Sequence, residues 1–104
     1  MNVKELQDNL PWTVPYSGEF DRCDLGHKYF SHALMHVLKS AGKIAAVIEA
    51  ADHTDNQVDF TKIEGQIADL VISALRMANV SPSGKFDLEQ VVLKRLEEKN
   101  GVKL

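Results

Sequence analysis

The chain has 104 residues, 44% of them hydrophobic and 26% charged, with a formal net charge of −3. That length predicts one domain with a modest core. The slightly acidic balance excludes the basic footprint of a nucleic-acid binder, and no apolar run reaches the ~20 residues of a bilayer span. Residues 1–10 hold no apolar signal core, and Cys23, the sole cysteine, excludes an internal disulfide framework. The expectation is a cytoplasmic protein with neither nucleic-acid nor membrane partners.

In chain order, residues 3–10 fit a short helix. Residues 11–26 carry two prolines, two glycines and the aromatics Trp12, Tyr16 and Phe20, which predicts an ordered loop that packs its rings inward. Cys23 falls in this stretch with no evident base partner, so a bland semi-buried or surface thiol is expected. Asp24 is placed to cap a long helix over about 25–52. In that helix Phe30, Leu34, Val37, Ala41, Ile44 and Ile48 recur at alternating intervals of four and three, a helical stripe widened by Leu38, Ala45 and Val47.

Residues 53–59 are polar and predict the turn. A second long helix over 60–79 carries Phe60, Ile63, Ile67, Leu70, Ala74 and Met77 as its stripe. Thr61 and Glu64 fit a capping box, with Asp55 or Asp59 as earlier starts. Ser81-Pro82-Ser83-Gly84 breaks the pattern. A third helix over about 88–99 then begins at the Asp87/Gln90 pair, with Phe86 as a hydrophobic staple, and ends at Lys99 and Gly101. The fold class is all-α. A long antiparallel helix hairpin plus a C-terminal helix is expected to form a helical bundle completed by oligomerisation, because the third helix can cover only one side of the hairpin. The whole chain, 1–104, reads as one domain: a short helix and aromatic loop over 1–26 and a core over 27–100.

Polar residues also form lines along the two long helices. His32, His36, Ser40 and Lys43 share one line of the first; Lys62, Gln66, Asp69, Ser73 and Arg76 share one line of the second. A turn centred near residues 54 and 55 sets Lys43 opposite Gln66, Ser40 opposite Asp69, His36 opposite Ser73 and His32 near Arg76. The lines then meet as one seam, although such lines are most often a solvated face. His32 and His36, at i and i+4, have a spacing that suits zinc. Two ligands do not complete such a site, and the run His-Ala-Leu-Met-His lacks the glutamate of the zincin motif.

Three segments, HALMHVLKSAGKIAAVIEA, IEGQIADLVISALRMANV and FDLEQVVLKRLEEKNG, together resemble the MazG-like family of all-α nucleoside triphosphate pyrophosphohydrolases over residues 27–100. The resemblance rests on the Gly42 context, on Ala68-Asp69-Leu70 and on the Asp87-Leu88-Glu89 start. It implies a helical bundle, hydrolysis of nucleoside triphosphates to monophosphates and pyrophosphate, and Mg²⁺ held by carboxylates from both long helices. Mg²⁺ needs hard oxygen ligands in octahedral array. At the matching positions this chain has Lys39, Ser40 and Lys43 in the first helix and Gln66 in the second. Of the acidic set only Asp69 remains.

The metal-ligand positions are therefore Ser40, Lys43, Gln66 and Asp69. The seam of His32, His36, Lys43, Asp69, Ser73 and Arg76 is a candidate ligand site, with Lys43 paired to Asp69 in place of a metal. The expected function is a divergent MazG-like protein without ordinary Mg²⁺-dependent turnover, retaining a nucleotide- or phosphate-binding or structural role. Two alternatives are an active pyrophosphohydrolase with non-standard ligands around Asp69 and a purely oligomerising module. No cofactor is expected, and Mg²⁺ only under the hydrolase reading. The expected partners are a second copy, as dimer or tetramer, and a nucleotide.

Overall fold

The computed structural model describes residues 1–10, 22–54 and 56–101, with side chains from 28 onward in the second stretch. The expected inward packing of Trp12, Tyr16 and Phe20 lies outside the described residues.

The first helix, α1, spans Val3–Asp8. The Asn2 side chain starts it by accepting from Glu5 N at 2.8 Å, and Lys4 pairs with Asp8 one turn on. The second, α2, spans Arg22–Thr54. It begins earlier than the expected residue 25, so Cys23 and Asp24 lie inside its first turn and Asp24 is not the cap. At the other end α2 runs on into the polar stretch. Thr54 Oγ1 donates to Ala50 O at 2.9 Å, and Asn56 N closes onto Ala51 O at 3.1 Å.

The chain re-enters helix through a short 3₁₀ turn, Phe60–Lys62. Asp59 starts this turn: its carboxylate accepts from Thr61 N at 3.1 Å and from the Thr61 hydroxyl. The Thr61/Glu64 capping box is therefore not formed, since the Thr61 hydroxyl is committed backward to Asp59. The third helix, α3, spans Glu64–Asn79. A turn with Gly84 at φ 117° leads to α4, Leu88–Asn100, where the Asp87 carboxylate accepts from Gln90 N at 3.3 Å. Gly101, at φ 63°, ends α4 with its N–H donating to Glu97 O at 2.9 Å; only glycine adopts this conformation without steric cost.

Helices α2 and α3 pack along each other as the antiparallel hairpin. The inward face of α2 is not the stripe of largest side chains. Ala33, Ser40 and Ala51 are buried and Val37, Ile44 and Val47 half-buried, again at intervals of four and three. This face keeps Val37 and Ile44 of the expected stripe but is turned toward smaller residues, and Leu34 and Ile48 are left 40% and 39% exposed. At α3 the expected Ile63 is buried and Leu70, Ala74 and Met77 are half-buried, joined by buried Ser73, Leu75 and Ala78, while Ile67 and Val71, and Phe60 in the 3₁₀ turn, stay exposed. Small side chains let two helix backbones approach closely, which favours this face for the hairpin.

The last helix, α4, does not cover the hairpin as expected. It packs mainly against α1, buries none of its residues, and leaves Val91, Val92 and Leu96 exposed. The cause is its anchor: the Leu88 N–H is held by the buried Gln7 side chain of α1 at 3.1 Å. The resulting molecule is elongated. Its radius of gyration is 16.9 Å, against about 13 Å for a compact domain of this length. None of the described helices is long and apolar enough to cross a membrane.

Candidate functional site

The polar seam is divided by the packing of the hairpin. At the end far from the turn, His32 and His36 of α2 and Ser73 and Arg76 of α3 line one pocket of about 170 Å³, floored by Ala33. Ser73 is 4% exposed, whereas both histidine rings remain open to solvent. His32 and His36 meet Nε2 to Nε2 at 3.0 Å, their rings edge to face with centroids 4.6 Å apart. The i, i+4 spacing sets the rings one above the other on the helix. A hydrogen bond between the two nitrogens requires one N–H and one lone pair, so the pair holds one proton between its Nε2 atoms.

The positions matching the family's metal ligands lie closer to the turn. Ser40 is buried at 6% exposure against α3. Lys39, Lys43 and Asp69 are exposed, and no ion pair or hydrogen bond joins Lys43 to Asp69 or to Gln66. The expected Lys43–Asp69 substitute for a metal is therefore not formed: both side chains turn to water, where solvation outweighs a surface pair. Gln66 is half-buried and its Oε1 meets no hydrogen-bond donor among the described residues. Among the described residues no group of three or more His, Cys, Asp or Glu side chains converges as a metal site.

The chemistry of the pocket suits an anion. Arg76 brings a permanent charge with a fork of donors matched to phosphate or carboxylate oxygens. Ser73 adds a hydroxyl, and the histidines add up to two further N–H donors. A larger hollow of about 430 Å³ lies by the hairpin turn, lined by Val47, Ala51, Gln57, Asp59 and Lys62 among others. Its acid, Asp59, is already engaged by Thr61. The Thr61 hydrogen bonds hold the Asp59 carboxyl below its ordinary range.

A second polar cluster went unread in the sequence. Gln7 is 1% exposed, yet every polar atom of its side chain is used. Nε2 donates to Asn79 Oδ1 at 2.9 Å and to Phe86 O at 2.8 Å, and Oε1 accepts from Leu88 N. Beside it the Asp8 carboxylate accepts from Lys85 at 2.9 Å and Lys4 at 3.1 Å, so its pKa lies below the usual value, with the Lys85 hydrogen bond the larger cause. Lys4 is raised in return. The Lys4–Asp8 pair was readable from i, i+4 spacing, but Lys85 lies too far along the chain. With its amide and carboxylate saturated by protein groups, this cluster is a clamp and leaves no acceptor for a ligand. No protein-family model matches the chain, and no curated protein or solved structure is similar enough to show kinship.

Proposed function

We propose that the chain is a divergent MazG-like protein that binds a phosphate-bearing ligand through His32, His36, Ser73 and Arg76 and does not carry out ordinary Mg²⁺-dependent pyrophosphohydrolysis. The observation that carries the reading is the pocket itself, whose polar walls come from one end of the seam on both helices. Its volume sets the scale of the ligand. Sites that enclose a whole small molecule run to about 300–1,000 Å³, so this pocket takes a phosphoryl group and leaves a nucleoside outside. Against turnover stands the lack, among the described residues, of three or more His, Cys, Asp or Glu side chains gathered to hold a hard cation.

The test is calorimetric titration with phosphate, pyrophosphate and a nucleotide panel, with and without Mg²⁺. Binding that needs no Mg²⁺ supports the reading; no binding to any of them removes it. Pyrophosphate release from a nucleoside triphosphate that is lost in Asp69→Ala would restore the hydrolase alternative.

A second reading, in which the chain serves chiefly to oligomerise, has its own support. Leu34, Leu38, Ala41, Ala45 and Ile48 repeat at intervals of four and three along α2 and are all exposed, beside exposed Ile67 and Val71 on α3. A stripe of this period is the seam along which helices pair. The two readings are compatible, because the stripe and the pocket use different faces of the hairpin.

A further inference from the structure

The geometry of the histidine pair points to a metal site, and we propose that His32 and His36 form a bidentate chelate for a late first-row divalent cation of the Cu²⁺ or Ni²⁺ class. The inference rests on the same pocket and the same two histidines as the anion reading, and uses their lone pairs where that reading uses their N–H donors. The two Nε2 nitrogens converge at 3.0 Å on a rigid helix, with both rings open to solvent. Imidazole nitrogen suits late first-row divalent ions, and Cu²⁺ and Ni²⁺ stand at the high-affinity end of that series. Hard Mg²⁺ gains little from such ligands.

Metal entry replaces the shared proton: the donor imidazole surrenders its Nε2 proton, which moves to Nδ1 of that ring or to water, and both lone pairs then face the ion. The remaining coordination positions carry water or an anion. Arg76, on the same pocket wall, opposes a bare dication and favours one that carries a negative ligand. Phosphate should therefore tighten metal binding, and metal should tighten phosphate binding by the same factor.

The experiment is a Ni²⁺ titration of the untagged full chain by calorimetry, first without phosphate, with Mg²⁺ as the control ion. The expected result is saturable binding of about one ion per chain, weakened about a hundredfold in both His32→Ala and His36→Ala by loss of the second, intramolecular ligand. His53→Ala, on the same helix but beside Glu49, should bind as the parent does. Circular dichroism of each variant shows that α2 is retained. An absence of Ni²⁺ binding, or a His36→Ala variant that binds as tightly as the parent, overturns the proposal. Phosphate titration of chelator-treated protein separates the outcomes: phosphate binding without Ni²⁺ binding defeats only the chelate, and the reverse defeats only the anion reading.

Discussion

Gln7 and Asn79 hold each other from opposite ends of the chain: Gln7 Nε2 donates to Asn79 Oδ1 at 2.9 Å, and Asn79 Nδ2 donates back to the Gln7 carbonyl at 3.1 Å. Gln7 also binds Phe86 O and Leu88 N, so a single buried amide ties α1, the end of α3 and the start of α4. Removing it strands the Phe86 carbonyl and the Leu88 N–H, for which no other partner stands among the described residues. Gln7→Ala should lower stability by about 2–3 kcal/mol in urea unfolding, whereas exposed Gln57→Ala should change it little. Equal effects at the two positions would dismiss the clamp.

The clamp's outer charge sets an acid dependence. Asp8 has its folded pKa lowered, first by the Lys85 hydrogen bond and then by that of Lys4. A lowered carboxyl stabilises the fold above its unfolded value of about 3.9, and this contribution is lost as pH falls through the folded value. The stability difference between the parent and Asp8→Asn should be constant near neutral pH and shrink on acidification below about pH 4. Asp59 titrates in the same direction but remains in both proteins, so it cancels from the difference. A difference that grows on acidification would reverse the assignment.

Lys43 and Asp69 lie exposed and make no pair. A double-mutant cycle between Lys43→Ala and Asp69→Ala should give a coupling within about 0.5 kcal/mol of zero. A larger favourable coupling would place the two charges in contact and revive the protein-cation substitute for the metal.

The exposed α2 stripe predicts self-association. In sedimentation velocity the parent chain should run as a dimer or larger, and Leu38→Glu, on a 57% exposed position, should run as a monomer with unchanged helix content. A parent that stays monomeric at high micromolar concentration would remove the oligomer reading.

The sequence made the local features legible. The Asp87 cap, the Gly101 stop and the i, i+4 relationship of His32 with His36 depend only on neighbours within a turn. The facing of His36 with Ser73 and of His32 with Arg76 was also readable, because a short turn fixes the register of a hairpin. The rotation of α2 was not. Hydrophobicity ranks Leu34 and Leu38 above Ala33 and Ser40, while close helix packing selects small size, and the two faces overlap at Val37 and Ile44. Gln7 was illegible for a different reason: its partners come from residues 79, 86 and 88, and nothing near position 7 signals them.

The most direct test of the anion pocket is a pyrophosphate titration of chelator-treated protein, comparing the parent with Arg76→Gln and Asp69→Ala. The account predicts that the parent and Asp69→Ala bind alike, that Arg76→Gln loses at least about tenfold in affinity, and that added salt weakens the binding. Parent protein that binds no pyrophosphate, or binding that survives Arg76→Gln and is lost in Asp69→Ala, would contradict it.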